Sequence, residues 1–201
     1  YNAGQTCCAN KRFIMQNTIK DEFVRKLIDA IKAYRIGDPS NPQTQMGCLV
    51  SEKAAAEVEK LIEKTVQQGG ELVYGGKRDG AFIEPAVILV SKDADVAKDM
   101  EIFGPVFPII GFDTFDEAVQ IANQTSYGLA SGVMTNDINK AMKFAMKVQA
   151  GTCVINGSGN YRSVHQPFGG YKHSGIGREG TTHTLSEVTQ EKTVAMRYTQ
   201  K

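Results

Sequence analysis

Two adjacent thiols, Cys7 and Cys8, follow Gly4 and Gln5 in the stretch YNAGQTCCAN. A thiol attacks carbon when helix N-terminal amides or a nearby positive charge stabilise its thiolate, and the acyl adduct it forms is labile. Gly4 permits an unusual backbone conformation or a close approach just before the pair. Taken alone, the same two residues read equally as buried structural cysteines, since free cysteine is among the most buried residue types. A second stretch, EIFGPVFPI, places Glu101 two residues before Phe103, with a rigid Gly104–Pro105 bend behind them. A carboxylate can accept hydrogen bonds from ribose hydroxyls, and an aromatic face can support a flat ring. The plainer reading of this stretch is a turn with a solvated Glu and a core Phe. The third stretch, QPFGGYKHSGIGREG, is too rich in glycine for an ordinary helix or strand. It departs from the G-x-G-x-x-G that opens a helix after a strand, and it lacks the Walker spacing to Lys-Ser/Thr. It reads as a shaped backbone loop beside a site, held by Arg178 and Glu179, or else as a flexible surface loop.

The elements between these stretches must bring them together. RFIMQ, residues 12–16, reads as a strand. In DEFVRKLIDAIKAYRIGDP, Phe23, Leu27 and Ile31 repeat at four with Val24 and Ile28 beside them, predicting an amphipathic helix stopped by Gly37 and Pro39. Ser51 is a candidate N-cap for a second helix whose inner face is Val58, Leu61, Ile62 and Val66, ending at Gly69–Gly70. ELVYGG and PAVILV read as strands with a turn at KRDG between them. Thr114 and Glu117 form a T-x-x-E capping box. GVMT and TCVIN read as strands flanking a helix capped by Asn136 or Asp137, with Ala141, Met142, Ala145 and Val148 turned inward. Strands alternating with helices predict an α/β fold with a largely parallel sheet. At the end, Val194, Met196 and Tyr198 alternate as in a strand, predicting an arm that pairs within the sheet or with another chain's edge.

Composition narrows the function classes. The 201 residues suffice for one α/β domain with a substantial core, and the 41% apolar and 22% charged content is ordinary for a globular protein. A net charge of +1 gives no reason to expect nucleic acid or a membrane as partner. Cys7, Cys8, Cys48 and Cys153 form no CxxC pair, and the three histidines lack metal-binding spacing, so neither a disulfide framework nor a metal site is expected. A reducing, cytoplasmic setting follows from that cysteine usage.

In their order and spacing the three stretches resemble the aldehyde dehydrogenase superfamily. N-x-G-Q-x-C is similar to its catalytic-cysteine loop, E-I-F-G-P-V to its cofactor-contacting motif, and P-F-G-G-x-K-x-S-G-x-G-R-E to its late glycine-rich loop. The resemblance covers essentially the whole chain and implies a three-layer α/β catalytic domain over residues 1–186, with an oligomerisation arm over residues 187–201. It implies that Cys7 is the nucleophile of an NAD- or NADP-dependent oxidation of a small-molecule aldehyde to its acid, through a thiohemiacetal and a thioester. By the same resemblance Glu101 holds the nicotinamide-side ribose and Phe103 packs against that part of the cofactor. Lys172 and Arg178 are structural. Tyr161, Arg162 and His165 line the substrate approach, where Arg162 suits a semialdehyde such as succinate semialdehyde through a bidentate pair, a surface arginine without a ligand being the bland alternative. The family's general-base Glu, its upstream Asn and its N-terminal cofactor domain have no counterpart in these residues. The expectation is therefore a catalytic domain of a longer homo-oligomeric enzyme, inactive when isolated. A stand-alone thiol esterase and a non-catalytic assembly module are the alternatives.

Overall fold

The computed structural model describes residues 1–198. Its main sheet has four strands in the order β1 (Phe13–Gln16), β6 (Val106–Phe112), β5 (Ala86–Val90) and β2 (Glu71–Tyr74). β1, β6 and β5 run parallel, and β2 joins the far edge antiparallel to β5. Successive strand residues point to opposite faces, and the sequence makes both faces apolar. Phe13, Met15, Val87, Leu89, Phe107 and Ile109 pack with Val24, Leu27, Ile28 and Ile31 of α1 (Asn17–Lys32). Ile14, Ala86, Ile88, Val90 and Ile110 pack on the other side with Ala55, Val58 and Ile62 of α2 (Glu52–Gln67) and Ile121 of α3 (Phe115–Asn123). Helix, sheet and helices thus form the three expected layers. Between β2 and β5 lies a small hairpin, β3 (Arg78–Asp79) with β4 (Phe82–Ile83), where the sequence suggested only a turn.

The second half adds a smaller parallel pair. β8 (Ala130–Val133) and β9 (Thr152–Ile155) run side by side, joined by α4 (Ile138–Lys147) as a βαβ unit. β7 (Tyr127–Gly128) pairs antiparallel with β10 (Tyr171–Lys172), fixing the glycine-rich segment to the end of α3. The caps form as local chemistry dictates. Ser51 accepts from Ala54 N–H, Thr114 from Glu117 N–H, and Asp137 from Asn139 and Lys140 N–H. Glu117 reaches back to the N–H of Asp113, one residue before the cap, in a shifted version of the capping box.

Four expectations are corrected. α1 stops at Lys32 rather than near Gly37, because Arg35 gives its carbonyl to the N–H groups of Gln45 and Met46, and Ile36 bridges Met46. Val66 and Met142 lie at the margins of their helices' apolar faces and are 41% and 49% exposed. Between Gly180 and the arm stands a short helix, α5 (Thr181–Glu187), that the pattern did not suggest. The strand expected in the arm does not form within this chain: residues 189–198 have no regular structure and are exposed, and residues 199–201 of that arm lie outside the described residues.

Candidate active site

The cysteine loop runs directly into β1, and the loop bearing Glu101 and Phe103 runs directly into β6. β1 and β6 are parallel neighbours, with Phe13 opposite Ile109. Two loops that precede adjacent parallel strands must emerge at the same sheet edge, so this pairing brings the first two motifs together.

The contact between them is backbone on backbone. Asn2, Ala3 and Gly4 have φ of 50°, 51° and 77°, a left-handed turn closed by Gly4 N–H to the Tyr1 carbonyl at 3.0 Å. Left-handed backbone costs an L-residue about 1–2 kcal/mol, so the turn persists because its surroundings hold it. Gly4 lies on Gly104 so closely that a Cβ would overlap the Gly104 carbonyl. Gly104 in turn lies on α2, where an added Cβ would come within 2.7 Å of Val58 Cγ2. Ala3 packs against the core, and Gln5 Oε1 accepts the Val50 N–H at 2.9 Å. Cys7 and Cys8 then occupy the centre of a turn closed by Ala9 N–H to the Thr6 carbonyl at 3.2 Å. Cys7 is exposed and Cys8 half-buried, and all four cysteines are free.

The nearby cation is Lys11, which the sequence reading passed over. Its ammonium donates to the Gly4 carbonyl at 3.0 Å, lies 3.5 Å from Glu101 Oε1, and sits 4.2 Å from the centre of the Phe103 ring. Burial lowers the Lys11 pKa below lysine's ordinary value, while Glu101 and then Cys7 and Cys8 oppose that by favouring the charged form. Arg12, also overlooked, is the anchor beneath. Its guanidinium donates to the carbonyls of Ala97, Ile121 and Ala122 at 3.1, 2.8 and 2.9 Å. Burial lowers its pKa, and Asp99 partly offsets this. Lys172 joins it at the same helix end, donating to the Asn123 and Thr125 carbonyls at 2.7 and 2.8 Å. Two cations therefore close the C-terminus of α3, where carbonyls and the helix dipole favour positive charge. The one available signal was a basic pair standing just before a short apolar strand.

The remaining candidates lie elsewhere. Tyr161, Arg162 and His165 are exposed on the loop after β9. Among the described residues no hydrogen bond or ion pair links them to the cysteine loop. Arg162 instead stacks 4.0 Å above the Phe168 ring and donates through Nη2 to Glu179 Oε2 at 3.0 Å. Phe168 and Glu179 exchange backbone hydrogen bonds, and Arg178 donates to the Gly170 and Gly177 carbonyls. The glycine-rich segment is thus a folded loop with its cations turned to structural work. Among the described residues no cluster of potential ligands could hold a metal ion, and no helix is long and apolar enough to cross a membrane.

The model of the aldehyde dehydrogenase family matches residues 1–194. The chain belongs to that family. It is 42% identical over 193 residues to the lactaldehyde dehydrogenase of Methanococcus aeolicus, covering 96% of this chain and 41% of that protein. Among solved aldehyde dehydrogenases, glyceraldehyde-3-phosphate dehydrogenase GapN from Methanocaldococcus jannaschii, complexed with NADP, superposes with a TM-score of 0.89 at 41% identity, over 92% of this chain and 40% of that one. Aldehyde dehydrogenase 21 from Physcomitrella patens, in complex with the reaction product succinate, gives 0.91 at 38% identity, over 97% of this chain and 40% of that one. The chain therefore spans about two fifths of the length of these relatives.

Proposed function

We propose that the protein containing this chain oxidises an aldehyde to a carboxylic acid with NAD or NADP, and that Cys7 is its nucleophile. The observation that carries the reading is the Gly4–Gly104 approach, which seats the cysteine loop on the loop of Glu101 and Phe103. The half-exposed Glu101 carboxylate and the Phe103 ring, 43% exposed beside it, suit a ribose diol and a flat ring. A nicotinamide cofactor bound there supplies the hydride acceptor. Cys7 Sγ, as thiolate, bonds to the aldehyde carbon while the carbonyl π pair moves to oxygen, giving a thiohemiacetal. The Cys7 N–H then donates to that oxygen. Loss of hydride from the same carbon leaves a thioester on Cys7. Addition of water releases the acid and restores the thiol.

Arg162, which keeps donors beyond the one on Glu179, is the proposed clamp for a substrate carboxylate, with Tyr161 and His165 beside it on the approach. The succinate bound by the moss relative supports a semialdehyde substrate. Residues 1–186 form the catalytic domain and residues 187–201 an arm for a second subunit, since Val188, Val194, Met196 and Tyr198 are 74–90% exposed in the chain by itself. The four free thiols fit a cytoplasmic setting. In the intact protein, Cys7→Ala abolishes aldehyde-dependent NAD(P)H formation and Cys8→Ala retains it. Arg162→Ala raises KM for succinate semialdehyde at least tenfold and leaves neutral aldehydes unchanged. Full turnover by Cys7→Ala overturns the reading.

A further inference from the structure

Lys11 lies four residues beyond Cys7, two residues before β1, and its side chain reaches back to the Gly4 carbonyl of the loop it follows. Its side chain is 22% exposed, against 51% for Glu101, so the ion pair has one well-shielded end. Shielding strengthens such a pair relative to one in open solvent. A lysine ammonium has three donors pointing in different directions, and here they meet a carbonyl, a carboxylate and an aromatic face. Among the described residues Lys11 is the only ion-pair partner of Glu101. It is also the only side chain that contacts the cysteine loop and the Glu101–Phe103 loop through polar atoms at once.

We propose that Lys11 is a positioning residue for both halves of the site, an inference that rests on the assignment of Cys7 and Glu101 above. By holding the Gly4 carbonyl and Glu101 Oε1 together, the ammonium keeps the nucleophile loop in fixed register with the cofactor-facing loop. It turns the second oxygen of Glu101 toward a ribose hydroxyl. By covering one face of Phe103 it leaves the other for the cofactor ring. A conformational change that frees Glu101 also frees the cysteine loop, so the two motifs work as one unit.

The test uses the intact protein with Lys11→Met, Lys11→Arg, Glu101→Gln and the double variant Lys11→Met/Glu101→Gln. Two quantities are read: amide hydrogen exchange over residues 4–9, and NAD(P)H affinity by fluorescence titration. Lys11→Met is expected to speed exchange about tenfold and weaken cofactor binding about five- to tenfold, the range for one charge-assisted contact. Lys11→Arg restores both to within about threefold. Glu101→Gln, which breaks the same pair from its exposed end, speeds exchange similarly, and the double variant adds little to either single change. Values within twofold of the unsubstituted protein for Lys11→Met or Glu101→Gln, or strict additivity in the double variant, overturn the proposal. A protein in which Cys7→Ala keeps its turnover defeats the functional reading instead, because the exchange measurement is scored without catalysis.

Discussion

Replacing Gly4 by alanine isolates the close approach on which the site is built. Gly69 is the natural control, because it also has a positive φ, +90° against +77° for Gly4, and nothing lies within 4 Å of a Cβ added there. Either substitution places alanine in left-handed backbone at a cost of about 1–2 kcal/mol. Only at Gly4 does the new methyl overlap the Gly104 carbonyl, and Gly104 is backed by Val58 on α2. The cysteine loop must lift. It then loses the Lys11 bond to the Gly4 carbonyl, the Gln5 bond to Val50 N–H and the packing of Ala3 on the core. At about 1 kcal/mol for each hydrogen bond and slightly less for the methyl, these contacts hold the loop down by about 3 kcal/mol, a roughly hundredfold preference for the docked state that the overlap abolishes. Gly4→Ala is therefore expected to speed amide exchange across Asn2–Ala9 and reduce aldehyde turnover by about two orders of magnitude. Gly69→Ala lowers the melting temperature by a few degrees and leaves both readings unchanged. Equal exchange and turnover in the two variants would refute the reasoning.

Three further outcomes follow from the same geometry. Arg12→Met strands the Ile121 and Ala122 carbonyls at the end of α3, leaves the Ala97 carbonyl to Gln124 alone, and is expected to cost about 2 kcal/mol or more in denaturant unfolding, with Arg12→Lys recovering only part because one ammonium cannot reproduce the guanidinium fork. Asp137→Ala removes the acceptor for two N–H groups at the start of α4 and lowers stability by about 1 kcal/mol, read as a shift in urea midpoint. The N–H and hydroxyl of Ser126 and the hydroxyl of Thr125 lower the pKa of Asp99. A carboxyl lowered in the native state stabilises above its unfolded value, near 4, and loses that contribution as pH falls through the native value. Asp99→Asn should therefore flatten the loss of stability as pH falls below about 4, measured by urea midpoints in the acid range.

The elements that were legible in advance are those whose chemistry is local. Ser51, Thr114 and Asp137 cap helices because a side-chain oxygen meets amides two or three residues on, and any reader of the sequence can see that spacing. Residues 34–46 defeated the same reading because the Arg35 carbonyl is taken up ten residues later, a partner no periodicity reveals. The site divides in the same way. The motifs singled out Cys7, Glu101 and Phe103 as candidates, but not why their loops meet, which depends on β1 choosing β6 as neighbour. Arg12 read as the polar start of a strand and Lys11 went unread, because their partners, the end of α3 and Glu101, lie far along the chain. Arg162 could be seen as a cation with a use, but its contact with Glu179 across the glycine-rich loop could not.

The anchorage of Arg12 also bears on the order in which the molecule assembles. Its guanidinium binds the carbonyl of Ile121, 109 residues later, and among the described residues β1 pairs with β6 alone. Closing so long a loop carries an entropic penalty that grows slowly with length but is met before any contact repays it. On the ribosome, the segment bearing Cys7 emerges well before the helix that will hold it. Until β6 and α3 exist, the thiols sit on a loop whose following strand, β1, has no partner and whose Arg12 has no anchor. Cys7 is thus made early in this segment and set in place late, so a chain stopped before α3 carries the sulfur without the seat that holds its loop.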